Sequence, residues 1–63
     1  MVNALDIIRD PEKATKGIEP YLVFGAPDTD KLTQAINILA KRGWRCLSAS
    51  YATGVYVALM ERR

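Results

Sequence analysis

Hydrophobic and polar positions along this chain divide it into three strand-like stretches and one helix-like stretch. Residues 21–24 and 55–60 are rich in β-branched and aromatic residues, and residues 44–51 begin with Trp44 and end with Tyr51. Turn residues such as Pro20, Pro27 and Gly54 bound these stretches. The second stretch alternates between apolar and polar positions, whereas the first and third are apolar on both faces. The pattern therefore predicts three strands, the last two joined by a hairpin through residues 52–54.

The segment from Asp28 to Arg42 has the spacing of an amphipathic helix. Asp28 or Thr29 is suited to accept hydrogen bonds from the free amides of the first turn. Lys41 and Arg42 fall in the last turn, where the helix dipole favours cations, and Gly43 is a typical stop. One stripe of the helix carries the apolar residues Leu32, Ala35, Ile36 and Leu39.

The first 19 residues carry a weaker signal, which is compatible with short helices or with a flexible arm. Asn3 can cap a helical turn, and Asp10 followed by Pro11 has the order of a capping residue and a first helical residue. The sequence predicts one α+β domain over residues 1–63, with residues 1–19 as an N-terminal helical or flexible segment and 20–63 as a βαββ core.

The third strand is expected in the middle of the sheet because it is apolar throughout. The predicted sheet is thus three-stranded with order 1-3-2, and the main helix packs on one face. One helix covers only one of two apolar faces. Either the N-terminal segment covers the other through Leu5, Ile7 and Ile8, or a second copy of the chain does; self-association is favoured. The residues predicted as this oligomer interface are Tyr21, Phe24, Leu47, Ala49, Tyr51, Tyr56, Ala58 and Met60.

Length and composition favour self-association further and limit the chemistry. A chain of 63 residues buries roughly 60% of its unfolded surface and is marginally stable alone. Cys46 is the only cysteine and histidine is absent, so neither an internal disulfide nor a zinc site is expected. We expect no cofactor, no metal and no membrane segment, and the absence of a signal-peptide pattern favours a cytoplasmic protein.

Candidate catalytic groups are few. Cys46 next to Arg45 could be a reactive thiolate, but alternation places it on the helix-covered face with Trp44, where it would act as a small hydrophobe. The acidic residues show no spacing that brings two carboxylates into one pocket. The chain is therefore expected not to be an enzyme.

A basic and aromatic surface is the alternative to a purely packing surface. Such a surface would suit a nucleic-acid-binding accessory protein, although the net charge of +2 indicates no large electrostatic footprint. A ligand-sensing domain with a pocket between subunits is a third possibility. The cations available for nucleic-acid contact are Lys41, Arg42, Arg45, Arg62 and Arg63.

The run from Lys41 through Ser48, with Gly43-Trp44 at its centre, and the last strand ending in Met60-Glu61-Arg62 are the basis of a family resemblance. Over residues 21–63 the chain resembles a family of short prokaryotic proteins described as a domain of unknown function, family four-one-seven-seven. The chain departs from that pattern in having Arg45 and Cys46 after the tryptophan. The resemblance implies a strand-helix-strand-strand fold and no activity.

Overall fold

The computed structural model describes residues 2–63, and these form an α+β domain with three helices and a four-stranded sheet. The main helix and the three strands begin and end within two residues of the predicted bounds. The elements in chain order are β1 (Val2–Asn3), α1 (Ala4–Arg9), α2 (Pro11–Thr15), β2 (Tyr21–Ala26), α3 (Thr29–Lys41), β3 (Trp44–Ala52) and β4 (Val55–Arg62).

The sheet has the order β1-β2-β4-β3, so it contains one strand more than predicted. β1 pairs in parallel with β2 through two residues only, whereas β4 is antiparallel to both β2 and β3. The three predicted strands are neighbours in the relative order expected, with β4 between the other two. The additional strand escaped prediction because a two-residue strand has no periodicity of its own.

Local sequence signals determine both ends of α3. The side chain of Asp28 accepts a hydrogen bond from the Lys31 N–H at 2.8 Å, which caps the first turn. The chain leaves the helix through Gly43 at φ +91°, a left-handed conformation that glycine adopts without steric penalty. Ala35 and Leu39 are the buried residues of α3, so the helix packs on the sheet through the predicted apolar stripe.

The N-terminal segment forms two short helices that pack on the same side of the sheet as α3. Asn3 caps α1 and Asp10 caps α2, as their positions in the sequence predicted. Ala4 and Ile7 of α1 are fully buried in the same core cluster as the sheet residues beneath α3. The expectation that this segment could cover the opposite face of the sheet is therefore wrong.

The hydrophobic core lies between the helices and one face of the sheet, and Trp44 is its largest buried residue. The guanidinium of Arg62 lies over the indole, 5.4 Å from the ring centroid, in cation–π geometry. Among residues 2–63 no acceptor contacts the indole Nε1. Each large buried side chain contributes on the order of 1.5–3 kcal/mol of transfer free energy. The fully buried residues are Ala4, Ile7, Leu22, Phe24, Ala26, Ala35, Leu39, Trp44, Ala58 and Met60.

A β-bulge at Leu47 changes which residues of β3 share a face. Cys46 pairs with Met60, but the next pair is Ser48 with Leu59, which leaves Leu47 as an extra residue. Simple alternation therefore fails across this point. As a result, Trp44 and Cys46 before the bulge lie on the same side of the sheet as α3, and so do Ala49 and Tyr51 after it.

Candidate interaction surface

The face of the sheet opposite the helices is apolar and exposed. We call it the open face and define it by Tyr21 and Val23 of β2, Leu47 of β3, and Val57 and Leu59 of β4. Tyr21 is 53% exposed, Val23 43% and Leu47 44%, whereas the central-strand residues Val57 and Leu59 are half-buried between their neighbours. An uncovered cluster of this kind is typical of an interaction site.

Strand register arranges the open face in rows that run across three strands. Val23 of β2 is opposite Leu59 of β4, and Leu59 is opposite Ser48 of β3. In the next row Gly25 is opposite Val57, and this position of β2 has no side chain to contribute. The rows thus form an aliphatic strip along β4, with an aromatic ring at one end and small polar side chains toward β3.

An ion pair lies at one end of the open face, where β2 begins. Arg45 and Glu61 are cross-strand partners, and the Arg45 Nη2 lies 2.6 Å from the Glu61 Oε1. Tyr21 lies directly opposite Glu61 on the other side of β4. Since the two charges compensate each other, this end of the surface is polar but has no net charge.

Only part of the predicted interface lies on the open face. Tyr21 and Leu47 are there, and their role in an interface stays a prediction. The placement of Phe24, Ala58 and Met60 on an uncovered face is wrong, because each has no exposed surface and packs beneath the helices.

The remaining predicted interface residues lie on the helix side of the sheet. Tyr56 is half-buried against the core, and its ring lies 4.7 Å from that of Tyr51. Ala49 and Tyr51 are exposed at the margin of that side, beyond the cover of α3. The physical reason is the bulge at Leu47, which puts Ala49 opposite Ala58 and Tyr51 opposite Tyr56.

The predicted interface contained Tyr56, Ala58 and Met60 of β4, which by alternation implied that Val57 and Leu59 face the helices; Val23 was not among the predicted interface residues. The alternation along β4 was predicted correctly, but the residues predicted for the uncovered face lie on the helix side, and the reverse. The signal that could have assigned them is the pairing of a core residue, Trp44, with the even-numbered end of β4 at Arg62. A strand residue opposite a buried tryptophan faces the same layer, so Met60 and Ala58 belong to the core.

The basic residues considered for nucleic-acid contact are divided between two sides of the sheet. Arg45 lies on the open face, whereas Lys41, Arg42 and Arg62 line a shallow groove with Glu12 and Thr15 on the helix side. The backbone N–H of Arg63 donates to the Gly43 carbonyl at 2.8 Å, which holds the chain end beside the helix terminus.

Acidic side chains accompany the cations of the groove. The Arg42 guanidinium lies 3.6 Å from the Glu12 carboxylate, and that of Arg62 lies 3.5 Å from Glu19. The groove is therefore a mixed surface and not a uniformly basic one.

Cys46 is exposed, and the prediction that it is a buried hydrophobe is wrong. Its Sγ donates to the Ser48 carbonyl at 3.6 Å, across the bulge. Within residues 2–63 no group of three or more Cys, Asp or Glu side chains is placed to hold a metal ion. In the same part of the chain, no helix is long and apolar enough to cross a membrane.

Comparison of the chain with protein-family models, with curated protein sequences and with solved structures finds no match in any of the three. The resemblance to family four-one-seven-seven therefore stays a prediction.

Proposed function

We propose that this chain is a self-associating interaction module whose interface is the open face of its sheet. The observation that supports the proposal is the exposure of Tyr21 and Val23 beside Leu59 and Val57, on a face that no segment within residues 2–63 covers. Burial of apolar surface is the main driving force of protein association. Stacking two such faces would remove these side chains from water.

The size of the molecule favours a second copy as the occupant. A stable interface of standard size buries roughly 800 Å² per partner, which is about a fifth of the 4060 Å² surface of this chain. A monomer of this size has a small core, so association would also supply stability that the isolated domain lacks.

The charge of the open face favours a protein partner over a polyanion. Among residues 2–63 its single cation is Arg45, which is already paired with Glu61 at 2.6 Å. A nucleic-acid surface needs several uncompensated cations because phosphate contacts supply most of the affinity. Two stacked copies would require no such excess, and each would bring one compensated ion pair to the margin of the interface.

Sedimentation from nanomolar to high micromolar concentration tests the proposal. The wild-type chain should associate as concentration rises. Leu59→Lys should remain folded and monomeric, since a lysine at a half-buried position can extend to solvent in a monomer but is desolvated between stacked sheets. Gln34→Lys, on the exposed side of α3, adds the same charge and should associate like the wild type.

Two outcomes would reject this proposal. A wild-type chain that stays monomeric at the highest concentration has no self-association to explain. Equal effects of Leu59→Lys and Gln34→Lys would show that charge, and not the open face, controls assembly.

Nucleic-acid binding is the second candidate, and the observation that favours it is the grouping of Lys41, Arg42 and Arg62 around one groove. Fluorescence anisotropy with labelled single-stranded RNA and duplex DNA over a salt series measures it directly. We expect no binding, because Glu12 and Glu19 lie beside the arginines. Binding that weakens with salt and is lost in Lys41→Gln would establish this candidate instead.

A further inference from the structure

The outer edge of β3 has no pairing strand among residues 2–63. β3 extends over nine residues and pairs with β4 on one side, whereas among residues 2–63 no strand lies on its other side. Every residue from Arg45 through Ala52 is exposed. The opposite edge of the sheet is β1, with two residues only. An edge of this length presents a row of free N–H and C=O groups that can pair with another strand.

The devices that commonly prevent edge pairing act only on the first half of β3. Lysine and proline are absent from the strand, and its one charged residue, Arg45, lies near its beginning. The bulge at Leu47 interrupts the ladder in the same half. The segment from Ser48 through Ala52 is regular, uncharged and composed of small residues apart from Tyr51.

We propose that residues 48–52 pair in antiparallel orientation with the same segment of a second copy, about a two-fold axis at Ser50. This register places Ser48 opposite the partner's Ala52, and Ala49 opposite the partner's Tyr51. Each tyrosine ring thus meets a small side chain, and no like charges face each other. The segment is therefore complementary to itself, which is what a two-fold interface requires.

The edge contact does not depend on the open-face contact, but the complete assembly rests on both. The axis at Ser50 is perpendicular to the sheet, so both copies keep their open faces on the same side. The axis that relates two stacked open faces lies parallel to the sheet. Perpendicular two-fold axes are compatible with a closed tetramer of dihedral symmetry. In that tetramer two continuous sheets, each with four strands from each of two copies, would stack through their open faces.

Single-cysteine variants test the register. Cys46 is the only cysteine and is exposed, so Cys46→Ser provides a background without thiols. In that background Ser50→Cys puts two thiols opposite each other at the axis, with Cβ atoms about 4.5–5.5 Å apart, close to the spacing a disulfide needs. The matched control Ser48→Cys lies on the same exposed strand, but the two equivalent positions are roughly 13 Å apart.

In a glutathione redox buffer, Ser50→Cys should form a covalent dimer more than about tenfold faster than Ser48→Cys, because pairing raises the local thiol concentration. The double variant Ser48→Cys with Ala52→Cys should crosslink through both positions. Equal rates for Ser50→Cys and Ser48→Cys, or no dimer with Ser50→Cys, would overturn the register.

Adding Leu59→Lys to the Ser50→Cys variant separates the two contacts. If both contacts exist, the crosslinked protein should sediment as a tetramer and the Leu59→Lys form as a covalent dimer. A covalent dimer in both forms would leave the edge contact standing and remove the open-face contact. If the wild type associates but Ser50→Cys does not crosslink, the edge contact is rejected and the open-face contact is retained.

Discussion

Both faces of the sheet are apolar, but among residues 2–63 helices cover only one of them. Phe24 and Met60 on the helix side have no exposed surface, whereas Tyr21 and Val23 on the open face are 53% and 43% exposed. The strands supply side chains to both faces by the same alternation. The difference lies in the covering, since α1 and α3 both pack on one side. Among residues 2–63 the helices thus cover one apolar face of the sheet and leave the other exposed.

The largest expected effect compares two adjacent residues of β4. Met60→Lys places an unpaired ammonium in the core and should lower the free energy of unfolding by more than about 4 kcal/mol, which is the whole stability of a domain this size. Leu59→Lys faces the open side and should leave the fold intact. Far-ultraviolet circular dichroism during urea titration distinguishes an unfolded chain from a folded one. A folded, dissociated Met60→Lys variant would mean that the two faces are assigned in the wrong order.

The exchange of the two faces shows what the sequence could and could not predict. The signals for α3 are local: the Asp28 cap, the apolar stripe and the Gly43 stop lie within a few residues of the ends they determine. These signals were sufficient for the helix. The apolar runs of β2 and β4 and the alternation along β3 were sufficient for three strands. The existence of an apolar face without a helix also followed from counting the elements available to cover the sheet.

Which residues form that face could not be predicted in the same way, because it depends on features that have no local sequence signal. The extra residue at Leu47 is visible only once β3 is paired with β4, because a bulge is a property of two strands. β1 needs the distant edge of β2 at Phe24 and Gly25 to form at all. The packing side of α1 likewise depends on contacts with α3, far away in sequence. Features that depend on long-range pairing were therefore missed or predicted wrongly, whereas those that depend on local sequence signals were predicted correctly.

A smaller effect is expected at the cap of α3, which packs on the helix side of the sheet. Asp28→Ala removes the 2.8 Å bond from the Lys31 N–H and should lower the free energy of unfolding by about 1 kcal/mol. In a domain this small that corresponds to a shift of about 4–8 °C in Tm. Asp10→Ala removes a longer bond of 3.3 Å at the shorter α2 and should lower stability less.

The cap variant also tests whether the two faces are independent. Asp28 lies at the start of α3, away from the open face, so the folded fraction should associate with the same affinity as the wild type. Differential scanning fluorimetry measures the first effect, and sedimentation under folding conditions measures the second. A weaker association of fully folded Asp28→Ala would show that the helix layer and the open face are coupled.

The smallest effect concerns the Arg45–Glu61 pair at the margin of the open face, and it depends on protein concentration. In dilute protein a double-mutant cycle with Arg45→Gln and Glu61→Gln should give a coupling of about 0.2–1 kcal/mol that decreases with salt. Arg45 is 59% exposed and Glu61 28%, so stacking a second sheet nearby would reduce their contact with water. The coupling should therefore increase at concentrations where the chain associates. The Asp6–Arg9 pair has the same 2.6 Å separation, but both side chains are exposed on the outer surface of α1, on the helix side of the sheet. The cycle with Asp6→Asn and Arg9→Gln should give a coupling that is independent of protein concentration. If the Arg45–Glu61 coupling is equally independent, this end of the open face stays in water in the assembly, and the interface must be centred further along β4, toward Val57.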